Sequence, residues 1–177
     1  MLSLMDLDAQ VRQYMLDELA SDVQANRYYM SPRLSARGQQ DYPGLLEEAI
    51  RLHDDVWLEH QLRQHGRLNA TEQRRKPKGG YTIAKVPVTA AETLAEGEFN
   101  RYYIRGICRD VLAGGQRDDV EVYRAKAVAV PRPDSQQKIG TRVKAQTLLD
   151  DLRASSASVD SALGIPAGPN SGLSVHR

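Results

Sequence analysis

The clearest pattern of apolar and polar positions lies between Thr89 and Gly115 and predicts a long amphipathic helix. Thr89 and Glu92 have the spacing of a capping box, and the glycine pair that ends the segment suits the left-handed residue that closes many helices. Two adjacent apolar rows repeat every four residues: Phe99, Tyr103, Ile107 and Val111 in one, and Ile104, Cys108 and Leu112 in the other. Together they form a face wide enough to pack on a core, and we expect the first row to be buried.

The same periodicity predicts three more helices, near residues 6–24, 43–65 and 144–153. The first has apolar side chains at steps of four and a good N-terminal cap in Asp6. The second begins at Asp41-Tyr42-Pro43, because proline is tolerated in the first turn of a helix. The segment 26–40 has no regular period, so we expect a loop there.

Strands are predicted near residues 81–86 and 120–129, where apolar and polar residues alternate. With the central helix between them, these strands form a strand–helix–strand unit whose pairing is either parallel or antiparallel. The expected fold class is therefore α+β. A mainly helical domain spans residues 1–153, and its small two-stranded sheet flanks the long central helix.

Residues 154–177 are rich in Ser, Ala, Gly and Pro and bury too little apolar surface to fold alone. Four of the apolar residues spaced along this segment are Leu163, Ile165, Leu173 and Val175. A disordered spacer does not require these apolar residues, whereas an arm that docks on another surface does. We expect an extended C-terminal arm that lies against another chain and makes few contacts with its own domain.

Composition indicates an ordinary globular chain: 177 residues, 41% hydrophobic and 27% charged, with net charge +1. No run approaches the roughly 18 apolar residues of a membrane span. The acidic N-terminus does not suit a secretory signal, and the lone Cys108 agrees with a reducing cytoplasm. The charge is unevenly distributed, since residues 1–60 carry 5 basic and 11 acidic residues, whereas residues 61–85 carry 7 basic residues and one acid, Glu72.

The densest positive run lies in a segment, residues 67–80, that is predicted to be a basic loop. Its cations are Arg74, Arg75, Lys76 and Lys78. Contact with a nucleic-acid backbone is one interpretation, because neutralised phosphates supply most of such affinity; a solvated loop is the other. Arg101, Arg105 and Arg109 form a second basic row along one edge of the central helix. We expect this row to pair with acids of the first two helices or of a neighbouring subunit, or to extend the nucleic-acid surface.

His53 and His60 lie seven residues apart near Asp54, which are residue types that a metal or acid–base site requires. The alternative is an ordinary helix surface. The sequence has no P-loop, GxGxxG, CxxC, HExxH or Gly-x-Ser-x-Gly motif. We therefore assign no catalytic, cofactor-binding or metal-binding residue.

Two segments, AEGEFNRYYIRGIC (95–108) and EVYRAKAVAVPRPDSQQKIGTRVKAQTLLDDLR (121–153), carry a family resemblance. Across roughly residues 45–153 the chain resembles uncharacterised small proteins of tailed-bacteriophage and prophage genomes. The resemblance implies a virion or morphogenesis role and no catalytic residues.

The sequence thus predicts a non-enzymatic structural or accessory protein in the head or head–tail region of a tailed-phage particle. Its expected partners are other virion proteins and copies of itself, with contact to a nucleic-acid backbone but not to a membrane. Its expected location is the virion, after synthesis in the bacterial cytoplasm. One alternative is a nucleic-acid-binding accessory protein that uses residues 74–78, and another is a small phage-encoded enzyme built around His53, His60 and Asp54.

Overall fold

A computed structural model of the chain describes residues 1–77, 79–154, 158–168 and 171–177. The chain divides into two compact units, unit 1 (Met1–Tyr28 and Gly97–Arg177) and unit 2 (Tyr29–Glu96), rather than one domain. The elements in chain order are α1 (Ala9–Gln24), α2 (Ala36–Leu52), α3 (Asp55–Arg63), β1 (Thr71–Arg75), β2 (Tyr81–Lys85), α4 (Ala90–Gly114), β3 (Asp119–Arg124), α5 (Pro133–Lys138), β4 (Arg142–Lys144), α6 (Ala145–Ala154), α7 (Val159–Ala162) and β5 (Leu173–His176).

The α+β class is confirmed, with the long helix α4 and a small two-stranded antiparallel sheet. The predicted core row of α4 is buried: Phe99, Tyr103, Ile107 and Val111. Within unit 1, α1 packs closely on α4 at Gly106, where a Cβ would lie 2.9 Å from Met15 Cγ and 3.0 Å from the carbonyl oxygen of Val11. Only glycine permits this approach without a shift of α1.

The strand pairing differs from the prediction, because β2 and β3 lie in different sheets. In unit 2, β2 pairs with β1 as an antiparallel hairpin. In unit 1, β3 is the central strand of a three-stranded antiparallel sheet, in the order β4-β3-β5. Antiparallel pairing within each unit thus replaces the strand–helix–strand unit.

The C-terminal segment folds back onto unit 1, which corrects the prediction of an extended arm. Strand β5 pairs with β3 in the register Val122↔Val175. Asn100 of α4 donates a hydrogen bond to the carbonyl oxygen of Leu173 at 2.8 Å. The four apolar residues assigned to docking are buried inside their own chain: Leu163, Ile165, Leu173 and Val175. Their spacing reflects strand and core positions of this unit.

The helix boundaries in unit 2 follow side-chain caps. Helix α2 begins at Ala36, within the expected loop, because the Ser35 hydroxyl accepts a hydrogen bond from the Gly38 backbone at 3.1 Å. The predicted helix 43–65 is in fact two helices. The second, α3, begins after Asp54, whose carboxylate accepts a hydrogen bond from the Trp57 backbone N–H at 2.8 Å and caps the helix. No helix of the described residues is both long and apolar enough to cross a membrane.

Candidate interaction surface

The arginine row of α4 is internal to unit 1. Arg105 is 1% exposed, and its guanidinium donates to Glu18 Oε2 at 2.7 Å and also to Asp22, both on α1. Arg109 lies 3.2 Å from Asp17, and Arg101 lies 3.7 Å from Glu98 of its own helix. The expected pairing with the first helix is confirmed for Arg105 and Arg109. The row is not an open basic surface, so it cannot extend a nucleic-acid interface.

The ion cluster around Glu18 joins three helices of unit 1. Arg153 of α6 donates to Glu18 Oε1 at 2.6 Å, opposite the bonds from Arg105. Burial acts to raise the pKa of Glu18, but the hydrogen bonds from Arg153 and Arg105 outweigh burial and lower that pKa overall. Tyr102 donates its hydroxyl to Asp22 at 3.1 Å. This cluster links α1, α4 and α6 through buried ion pairs and hydrogen bonds.

At Glu98, a buried carboxyl of α4, burial outweighs the attraction of the nearby cations. Burial raises the pKa of Glu98 to about 7, against the opposing attraction of Arg101 and Arg105. A carboxyl of this kind takes up a proton near neutral pH and makes the stability of unit 1 depend on pH.

The basic segment forms the hairpin β1–β2 of unit 2, which corrects the prediction of a loop over residues 67–80. The turn is closed by a backbone hydrogen bond from Lys76 to Gly80 at 3.0 Å. Gly79 and Gly80 have φ of 91° and 77°, values that glycine adopts without strain. Five cross-strand pairs follow, from Arg75↔Tyr81 at the turn to Thr71↔Lys85 at the base.

One face of the hairpin is entirely exposed. Paired residues of an antiparallel ladder point to the same side, and alternate residues share a face. The register therefore defines an outer face of six residues, all exposed: Thr71, Gln73, Arg75, Tyr81, Ile83 and Lys85. Tyr81 is 68% exposed and Ile83 is 74% exposed, so two large apolar side chains stand in solvent beside cations.

The opposite face attaches the hairpin to the rest of unit 2. Arg33 donates to Glu72 at 2.6 Å, and Arg74 donates to the same carboxylate at 2.7 Å. The hydrogen bond from Arg33, with that from Arg74, lowers the pKa of Glu72. Asn69 at the base donates its side-chain amide to the carbonyl oxygen of Leu34 at 3.0 Å. The hairpin is thus fixed from one side, and its outer face is left open.

The cations of the predicted basic run divide into two groups. Arg74 is ion-paired with Glu72, which it shares with Arg33, whereas the side chains of Arg75 and Lys76 are exposed and form no ion pair within the described residues. Lys85 shares this property, so Arg75 and Lys85 are unpaired cations of the outer face and Lys76 is a third unpaired cation at the turn. Lys78 lies outside the described residues.

Each residue of the proposed His53–His60–Asp54 site has a contact outside that set. Asp54 is engaged as the cap of α3, and the His53 ring stacks on Trp57 with centroids 4.4 Å apart. His60 lies on α3 and contacts Gln64 at 3.2 Å. Within the described residues, no group of three or more His, Cys, Asp or Glu side chains has the arrangement that holds a metal.

Sequence reasoning missed Tyr81, Ile83 and Lys85 as surface residues, because the strand that carries them was assigned to a packed sheet. A signal was available: Lys76-Pro77 followed by Gly79-Gly80 separates two strand-length segments, a spacing typical of a hairpin loop. No protein-family model, curated protein or solved structure matches this chain.

Proposed function

We propose that this protein is a non-enzymatic accessory protein of a tailed-phage particle, in the head or head–tail region, that acts through surface contacts. The resemblance of residues 95–108 and 121–153 to small phage proteins supports the setting. The outer face of the β1–β2 hairpin supports the mode of action, and it is the observation that carries the proposal.

An isolated two-stranded hairpin is only marginally stable in water. Here its outer face exposes Tyr81 and Ile83, which elsewhere in a chain are typical core residues. An exposed apolar pair surrounded by unpaired cations is a contact surface, because it gains free energy when a partner removes it from water. Other particle proteins, further copies of this chain and packaged nucleic acid are the partners that this setting offers.

Because the C-terminal segment is folded into unit 1, it is not an extended arm for assembly, and the outer face of the hairpin is the surface proposed for contacts instead. Residues Leu173 and Val175 are used inside unit 1 and are not available to a neighbour. The proposal therefore predicts that incorporation into particles depends on unit 2.

The test is to purify particles from bacteria that carry the phage and to quantify the chain by mass spectrometry. We expect the wild-type chain in particles and the loss of an Ile83→Glu variant that still accumulates in cells. The matched control is Val130→Glu, since Val130 is 73% exposed and Ile83 is 74% exposed. The proposal is wrong if the wild-type chain is absent from particles, or if both variants are incorporated equally.

A further inference from the structure

We propose that the outer face and the turn of the hairpin bind double-stranded DNA, with Arg75, Lys76 and Lys85 on phosphates and Tyr81 and Ile83 in the groove. This inference rests on the proposed function, because it names the partner of the same surface. It differs from the sequence hypothesis in the residues used: Arg74 is ion-paired with Glu72 on the opposite face, and Lys85 replaces it.

The distribution of charge on the hairpin supports this choice. Arg75 and Lys76 lie at the turn, and Lys85 lies at the base, opposite Thr71. The only carboxylate of the hairpin, Glu72, points to the other face and is already paired with Arg33. The outer face is therefore cationic at both ends and carries no negative charge.

The dimensions of the hairpin fit a groove of duplex DNA. A strand of five residues spans about 14 Å, four steps of roughly 3.4 Å. The major groove of B-DNA is about 12 Å wide and admits a two-stranded ribbon. Cations at the two ends of the face thus reach the phosphates on both sides of the groove.

The middle of the outer face presents groups that suit base edges. Gln73 and Ile83 form a cross-strand pair between the two cationic ends. An amide both donates to and accepts from base edges, and an aliphatic side chain contacts the thymine methyl group. Tyr81 supplies a further apolar surface beside Arg75.

A protein partner fits this surface less well. A stable protein interface takes roughly 20–30 residues from each side. It also depletes lysine and concentrates aromatic side chains at its centre. The outer face has six residues, of which only Tyr81 and Ile83 are large and apolar. Phosphate neutralisation needs no such area, because each cation contributes by releasing counterions.

The number of free cations sets the expected salt dependence. Three phosphate contacts give a slope of about −2.7 for the logarithm of the binding constant against the logarithm of salt concentration. The affinity for duplex DNA should therefore fall about 40-fold between about 50 and about 200 mM salt. Fluorescence anisotropy of a labelled short duplex of mixed sequence, with the full chain, measures both quantities.

Two variants test the assignment of residues. Arg75→Gln combined with Lys85→Gln should reduce the slope to about −0.9, because one contact remains. The control Arg117→Gln removes an exposed cation of unit 1 that forms no ion pair within the described residues, and it should leave the slope unchanged. Circular dichroism and the fluorescence of the single tryptophan, Trp57 of unit 2, verify that each variant is folded. Lys85→Gln alone, with an expected slope of about −1.8, replaces the double variant if that variant unfolds.

Three results would overturn the inference: no binding to the duplex at low salt, an equal slope for the wild type and the hairpin variants, or tighter binding to single-stranded than to duplex DNA. Hairpin-dependent entry into particles without DNA binding would leave the proposed function standing and assign the surface to a protein. DNA binding by a chain that is absent from particles would refute the proposed function alone.

Discussion

Replacing Arg105 by methionine removes the cation between two buried carboxylates of unit 1. Arg105 is 1% exposed, and its partners Glu18 and Asp22 are 3% and 6% exposed at their side chains. Methionine preserves most of the side-chain length and lacks the charge. The variant therefore tests electrostatics more than packing.

The structure indicates how the loss is divided between the two acids. Glu18 keeps both hydrogen bonds from Arg153, at 2.9 Å and 2.6 Å. Asp22 keeps the Tyr102 hydroxyl at 3.1 Å and a distant contact with Arg27 at 3.8 Å. Its second oxygen, Oδ1, has no hydrogen-bond partner within the described residues. The loss of stability in Arg105→Met should therefore come mainly from Asp22, which loses its close cation.

Breaking a buried ion pair from one side costs about 3–5 kcal/mol, because it leaves an uncompensated charge. We expect about 3 kcal/mol for Arg105→Met, since Arg153 still neutralises Glu18. Arg109→Met is the control. Arg109 is 29% exposed, and its partners are Asp17, 42% exposed, at 3.2 Å and Glu18 at 3.5 Å. Because Glu18 keeps the bonds from Arg105 and Arg153 in this variant, the loss should be at most about 1 kcal/mol.

Urea unfolding followed by far-ultraviolet circular dichroism measures these differences at neutral pH. Adding Asp22→Asn to Arg105→Met removes the stranded charge and should recover part of the loss, which a double-mutant cycle quantifies. Because the pKa of Glu18 is lowered from 4.5, its stabilising contribution is present above that value and is lost as the pH falls further. The difference between wild type and Arg105→Met should therefore shrink in acid.

The reasoning is refuted if Arg105→Met costs no more than Arg109→Met at neutral pH. It is also refuted if Asp22→Asn adds its own loss to that of Arg105→Met without any recovery. Either result would mean that water reaches the cluster and screens its charges.

Two further predictions concern unit 1. The free energy of unfolding of Glu98→Gln, relative to that of the wild type, should rise by about 3 kcal/mol from about pH 4 to about pH 8. The reason is that a pKa raised from 4.5 to about 7 destabilises the folded wild type as the pH rises through that window. Urea titrations at both pH values measure this rise, and a difference that stays constant would contradict the prediction. Leu173→Ala should cost the isolated chain about 2–5 kcal/mol, since Leu173 is 2% exposed. Val130→Ala at an exposed site should change stability by less than about 0.5 kcal/mol; equal melting temperatures for the two variants would restore the docking-arm hypothesis.

Local sequence patterns predicted those elements whose buried face is defined by a regular apolar period within the element itself. Helix α4 was predicted between Thr89 and Gly115 and spans Ala90–Gly114, because two apolar rows at four-residue spacing have few other ways to be buried. The burial of Phe99 and Tyr103 follows from the same rows. The pairing of Arg105 and Arg109 with acids of the first helix was one of the outcomes expected from the sequence, and the structure confirms it.

The candidate surface was predicted only in part. The basic run identified Arg75 and Lys76, because charge density is visible in a sequence. It did not show that Arg74 pairs with Glu72, since the direction of each side chain depends on the hairpin register. Tyr81 and Ile83 were assigned to a packed sheet for the same reason.

The α+β class, the central helix and its core row could be predicted from the sequence, because they depend on periods of two to four residues along the chain. The strand pairing, the position of the tail and the set of unpaired cations depend on long-range contacts and were known only from the tertiary structure. β5 joins β3 across about 50 residues of chain, and Arg105 meets Glu18 across 87 positions. Such contacts form only when distant segments compete for the same core, so no local pattern specifies them. Residues 171–177 illustrate the point: the apolar spacing that suits a docking arm also suits an edge strand, and the open side of β3 decided between them.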